Sequence, residues 1–281
     1  MCPVMYSCAI VPATLSCKKL NRKRRGACAD MGTVRARLTL VLKWMFFPGL
    51  DLHTRGRYRF LPRFFLKGPL KTLDAGCGNG TLAYAAYRLG NKVLGVTLDA
   101  GQVEKANALF SLIGVNPERL RFKVLNLYDL HKLETNFDQI ICAETLEHIR
   151  DDRKIIASFH DLLNDEGVLH LCCPNAMHPD HHLGRVDNPE DGGHVRDGYT
   201  LESYRKLLEP AGFRIEKSFG IGSPALGFLD RPIRALRNRV GDLPALPLFL
   251  LAYPFTLLFD HLNPRCPSSL YVLAVKEKRV A

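Results

Sequence analysis

Leu73-Asp74-Ala75-Gly76-Cys77-Gly78-Asn79-Gly80 is the stretch on which the fold turns. It ends a short apolar run that begins at Lys71, and it precedes residues 82–89, which read as a helix. Glycines at a strand-to-helix turn let the backbone approach a ligand, and the helix N-terminus offers free N–H groups. The spacing is Gly-x-Gly-x-Gly, not the Gly-x-Gly-x-x-Gly of dinucleotide sites. Asp74 opens the loop, and a carboxylate repels a pyrophosphate but attracts an ammonium or sulfonium group. Asp74, Gly76, Gly78 and Gly80 therefore suit a zwitterionic ligand with a cationic part.

Outward from this loop, strands alternate with helices. Strands are expected at 93–98, 121–125, 139–143, 168–173, 213–219 and 270–276. Helices are expected at 102–113, with Val103, Ala106, Phe110 and Ile113 on its apolar face, at 152–163, and from a Thr200 cap to Leu208, with Gly212 just beyond. With the first strand this makes a seven-stranded, doubly wound α/β sheet, read as parallel. Ligands of such sheets lie at the carboxyl ends of the strands. Asp99, after the second strand, suits the two hydroxyls of a ribose. Asn126, after the third, can meet an adenine edge, with Leu127 against the ring face.

The chain has 281 residues and a formal charge of +11. Residues 1–71 carry 15 basic and two acidic side chains, whereas residues 72–281 carry 24 and 26. A catalytic body that is basic all over is excluded. A hydrophobic share of 47% with 24% charged residues excludes a disordered protein. The early cysteines lack a zinc-site spacing, and adjacent Cys172 and Cys173 point to opposite faces of a strand. A reducing, cytoplasmic setting follows, and the N-terminus does not read as a secretory signal. Residues 1–30, with the basic run 18–25, read as a solvated tail or, if Met31 is the start, as lying outside the working protein. Residues 31–70 read as a basic amphipathic helical cap whose helix, 34–47, stops before Pro48-Gly49. Residues 71–281 form the main domain, with an apolar insertion at 221–268 before the last strand.

At this point residues 71–219 resemble the class I S-adenosylmethionine-dependent methyltransferases, with their Rossmann-like sheet. Leu73–Gly80 matches the family's glycine-rich motif, and Asp99 falls on its ribose-binding acid. Asn126 stands where many members have Asp. Phe137-Asp138-Gln139-Ile140-Ile141-Cys142-Ala143-Glu144-Thr145-Leu146-Glu147-His148 matches the fourth-strand motif. Gly193-His194-Val195-Arg196 through Tyr199-Thr200-Leu201 to Ala211-Gly212-Phe213 matches the segment before the sixth strand. The run Gly95-Val96-Thr97-Leu98-Asp99, with Gln102, is similar to one in cyclopropane-fatty-acid synthases and sterol methyltransferases. That resemblance implies that Thr97 and Gln102 help hold the ribose, and it points toward lipids. Otherwise Gln102 is an exposed residue of a first helical turn.

An alcohol or phenol acceptor benefits from a base during methyl transfer. If Glu144, Glu147 and His148 open a helical turn, they share one face. The expected catalytic set is His148 as base with Glu144 and His194; a packing or capping role is the other reading of His148. Glu144, Glu147, His148 and His194 also resemble the metal ligands of small-RNA 2′-O-methyltransferases, which implies a divalent ion. The histidine-rich stretch from His178 through His181 and His182 to His194 otherwise reads as a polar gating loop.

Residues 243–259 carry no charge, and Pro244, Pro247 and Pro254 would break a straight helix there. If the strands on either side share a sheet, a membrane crossing is excluded. The segment is either a cap over the crevice or a loop lying in a lipid interface. Arg35, Arg37 and Lys43 beside Trp44, Met45, Phe46 and Phe47 favour contact with an anionic membrane. The expected acceptor is a small or lipid-linked molecule; the alternative is RNA, gripped through phosphates by the basic N-terminus.

Overall fold

The computed structural model describes residues 38, 41, 42, 44–179, 190 and 192–278. The basic run 18–25, Arg35, Arg37, Lys43, His181 and His182 lie outside the described residues. The elements are α1 (Leu52–Phe60), β1 (Lys71–Ala75), α2 (Thr81–Arg88), β2 (Lys92–Thr97), α3 (Ala100–Leu112), β3 (Leu120–Val124), β4 (Phe137–Ala143), α4 (Asp152–Leu162), β5 (Leu163–Pro174), α5 (Leu201–Leu208), β6 (Phe213–Ile221), α6 (Pro224–Val240), α7 (Asp242–Phe259) and β7 (Ser269–Lys276).

All seven expected strands form one sheet in the order β3-β2-β1-β4-β5-β7-β6. The apolar runs of β1, β2, β4 and β5 are buried because helices cover both faces of a parallel sheet. The sheet is not wholly parallel: β7 runs antiparallel to both β5 and β6. The reason lies in the connection. Helices α6 and α7 pack as a hairpin, so the chain returns to the end of the sheet that it left and re-enters in the opposite direction.

One core cluster joins Leu73, Ile140, Leu169 and Cys173 to Ile155, Phe159 and Tyr204 of α4 and α5. The other joins Ile141, Cys172 and Tyr271 to Ala83, Ala86 and Phe110 of α2 and α3, and to Phe60, Leu61 and Phe65 of the N-terminal segment. Cys172 and Cys173 thus face opposite sides, and both are free thiols. Trp44 and Phe47 meet Tyr84 edge-on, and Phe47 meets Phe110 in the same way.

The sequence signals only the helix 34–47 within the 31–70 cap, yet α1 also forms there, capped by Asp51, which accepts from Thr54 N at 2.6 Å. It buries Leu52, Gly56 and Phe60. A third cluster joins Leu50 and Leu52 to Leu226 and Ile233 of α6 and to Ala245, Phe249 and Ala252 of α7. Helix α7 is continuous across Pro247 and Pro254, against expectation. Pro244 lies in the first turn, where its missing N–H costs nothing. Packing of Ala245, Phe249 and Ala252 against the rest of this cluster holds the later turns in line.

Candidate active site

The glycine loop sits between β1 and α2. Gly76 has φ 81° and Gly80 φ 79°. A Cβ on Gly76 would lie 2.2 Å from Thr145 Oγ1, and one on Gly80 would lie 2.7–2.8 Å from Phe122 and Phe110. Only glycine satisfies both demands. Asn79 shapes the turn: its Oδ1 accepts from Thr81 N at 3.1 Å, and its Nδ2 donates to Pro48 O at 3.1 Å.

Asp74, one residue before the end of β1, is in the interior, 2% exposed, and its Oδ2 has no hydrogen-bond partner. Burial pushes its carboxyl up to about 7, against a smaller opposing effect of the Ala83 N–H. Gln102 repeats the pattern: its Oε1 is buried without a partner and would lie 3.5 Å from a Cβ on Gly78. It is therefore not a solvated residue of a first helical turn; it faces the loop. Asp99 is exposed and caps α3, its Oδ1 accepting from Gly101 N at 2.8 Å and Gln102 N at 3.1 Å. Its Oδ2 is outside those two bonds. Thr97 is half-buried, and its Oγ1 accepts from Asp99 N at 3.4 Å. Asn126 Oδ1 accepts from Tyr128 N at 3.0 Å, which leaves one lone pair and the amide NH₂ for a base edge. Leu127 is buried in the first cluster.

Buried polar atoms left open, beside a loop where Cβ atoms would collide, fit a nucleoside ligand with a cationic tail. Asp99, Thr97 and Gln102 suit the ribose, Asn126 and Leu127 the base, and Asp74 and the glycines the rest.

The second group lies past β4. Glu144 has φ 52° and Leu146–His148 form a single 3₁₀ turn, so Glu144 does not share a helical face with Glu147 and His148. Instead its Oε2 lies 3.4 Å from Arg57 Nη1, and its Oε1 accepts from Ser269 Oγ at 3.3 Å. Burial opposes the charge of Arg57, but Glu144 and nearby anions outweigh it and hold its pKa above the ordinary value. Neither Arg57 nor Ser269 was singled out from sequence. Within the basic 31–70 cap nothing local separates Arg57 from the other arginines.

Glu147 is 1% exposed, and its Oε2 has no partner. Burial, with Glu144 nearby, pushes it up to about 8. His148 Nδ1 lies 3.0 Å from Gly193 O. A carbonyl only accepts, so Nδ1 carries the proton and Nε2 of the neutral ring keeps its lone pair. The His194 ring stands edge-on to it at 4.7 Å. The segment carrying His194 is clamped: Arg196 pairs with Asp152 and donates to Ile149 O at 2.6 Å, Tyr199 OH donates to Asp152 Oδ2 at 2.7 Å, and Val195 N donates to Glu147 O at 2.8 Å. Ligand atoms of Glu147, His148 and His194 lie within 4.8 Å of one another. Glu144 is outside that group, so three of the four residues of the expected metal set come together.

These features describe an α/β domain with a glycine loop at the end of its first strand and a carboxylate–histidine turn after its fourth. Residues 52–218 match the family model described as a methyltransferase domain, more than half of the chain. The chain belongs to that family and is a class I S-adenosylmethionine-dependent methyltransferase. The mitochondrial ubiquinone biosynthesis O-methyltransferase of Rattus norvegicus is 28% identical over 160 residues, covering 54% of this chain and 46% of that protein. The sphingolipid C9-methyltransferase of Komagataella phaffii is 37% identical over 108 residues, covering 35% and 22%. The chain thus spans less than half the length of these relatives. Among solved structures, the YcgJ protein of Bacillus subtilis superposes with a TM-score of 0.56 at 17% identity, covering 80% of this chain and 99% of that one. The Haemonchus contortus phosphoethanolamine N-methyltransferase 2, in complex with S-adenosyl-L-methionine, gives 0.54 at 17% identity, covering 80% and 53%. These two likenesses show the fold.

Proposed function

We propose that the enzyme methylates a hydroxyl on a small or lipid-linked acceptor at a membrane surface. When bound, S-adenosylmethionine supplies an activated methyl group. The observation that carries the reading is the 3.0 Å contact of His148 Nδ1 with Gly193 O: a carbonyl only accepts, so the proton of the neutral ring belongs on Nδ1, and Nε2, 3.9 Å from Glu147 Oε1, is the atom to take the acceptor's proton. Glu144 is held by Arg57 and Ser269 beside this turn and orients the acceptor side. The clamp through Arg196 and Tyr199 keeps His194 against His148. The relatives named for ubiquinone and sphingolipid support a lipid-like acceptor.

The test is a labelled-methyl transfer assay against a fractionated cell extract. Label in the organic-soluble fraction is expected; label in RNA would instead favour the phosphate-gripping alternative. A second reading rests on the donor group of Glu147, His148 and His194, which suits a divalent ion. Transfer that survives chelation and gel filtration would rule that ion out; transfer restored only by added metal would replace the base with it.

A further inference from the structure

We propose that the α6–α7 hairpin is an interfacial anchor that seats this enzyme on an anionic lipid bilayer. The proposal deepens the membrane-surface reading above and rests on it only for the acceptor being lipid-linked.

Helix α7 is uncharged from Leu243 to Phe259. At about 100° per residue, Leu243, Leu250, Leu251, Phe255, Leu258 and Phe259 span about half of its circumference. All six are exposed, Leu251 by 68% and Leu258 by 76%, and only 22% of the helix is buried. A helix that is apolar all round belongs in a core or a membrane. Contiguous exposed patches of this kind mark interaction sites. Helix α7 is also long and apolar enough to cross a membrane, the one such helix among the described residues. It cannot cross here, because β6 before the hairpin and β7 after it are neighbours in one sheet. The remaining geometry is a helix lying in the interface plane.

Helix α6 supplies the charge. Its one acid, Asp230, is buried and takes Arg234 and the Leu52 N–H. Phe228, 76% exposed, falls within about 80° of Arg231 and Arg239 on the helical wheel. Aromatic and apolar residues rimmed by arginine complement anionic headgroups. A second copy fits less well. In a two-fold interface the patch meets itself, which sets one arginine rim against the other.

The anchor is joined to the chemistry through α1. Arg59 lies against the carbonyls of Thr256 and Leu257 on α7 at 3.5 and 3.4 Å, while Arg57 on the same helix reaches Glu144. Docking of α7 is thereby linked through α1 to Glu144 on the acceptor side.

The test is co-sedimentation of the full chain with vesicles of phosphatidylcholine, alone and with phosphatidylglycerol added. Binding to the anionic vesicles is expected, weaker at high salt. It should fall at least about tenfold in a Leu251→Asp/Leu258→Asp variant and in Phe228→Ser. Unchanged S-adenosylmethionine affinity in calorimetry confirms that each variant is folded. Wild-type protein that ignores both vesicles, or variants that sediment like wild type, overturn the anchor. So does a dimer in light scattering that the double variant dissolves without altering vesicle binding. Vesicle binding without any methyl transfer to detergent-dispersed lipid overturns the acceptor reading and leaves the anchor standing.

Discussion

Asp74 and Gln102 each keep a buried oxygen that no protein group satisfies, and such atoms are costly unless a ligand meets them. The Asp74 carboxyl, raised to about 7, gives that cost a pH dependence. A raised carboxyl pKa favours the folded state fully below the unfolded value of 3.8, and the advantage is lost as pH climbs through about 7. The ligand-free protein should thus lose stability between about pH 4 and pH 7 relative to Asp74→Asn, measured by urea unfolding. A cationic ligand favours the carboxylate, so S-adenosylmethionine affinity should rise with pH up to about 7 and flatten in Asp74→Asn. Equal slopes in the two proteins would deny Asp74 contact with the charge. His148 carries a separate expectation: His148→Ala should lower kcat by about 10²- to 10⁴-fold with little change in cofactor affinity. A drop of twofold or less would return His148 to a packing role.

At the scale of elements, the strands were legible because alternation with helices and buried apolar runs are local signals. The capped helix after Thr200 was legible too, and the structure shows a full capping box with Ser203. Helix α1 was not, because its partners are remote: Asp230 lies 178 residues from Leu52, and Glu144 faces Arg57 from the end of β4. Three arginines of the basic 31–70 cap serve as clasps within the fold. Arg55 lies over the rings of Phe249 and Tyr253 at 4.8 and 5.1 Å, Arg57 meets Glu144, and Arg59 meets α7. Composition reveals charge but not its partners. A double-mutant cycle of Arg57→Met and Glu144→Gln should show coupling of about 1–3 kcal/mol in unfolding free energy. Additive effects would mean that α1 is held by its apolar face alone.

At the scale of the whole molecule, the cofactor loop joins both core clusters: Leu73 and Ala75 belong to one, and Cys77 and Ala83 to the other. A ligand held there links the two faces of the sheet, and binding only the folded state stabilises the molecule. The loop was legible because glycine spacing is a covalent fact. The mixed sheet was not, because it depends on how an apolar hairpin returns the chain. At a hundred times its dissociation constant, S-adenosylmethionine should add about 2.7 kcal/mol. For a chain of this size that raises Tm by about 5–10 °C. Asp99→Ala should act twice. Loss of its cap on α3 should lower the starting Tm through about 1 kcal/mol. Loss of a charged hydrogen bond to the ribose should weaken binding about tenfold or more, shrinking the shift at the same ligand concentration. A variant that lowers the starting Tm but keeps the full ligand shift would show that Asp99 serves the helix alone, leaving Thr97 and Gln102 to hold the ribose.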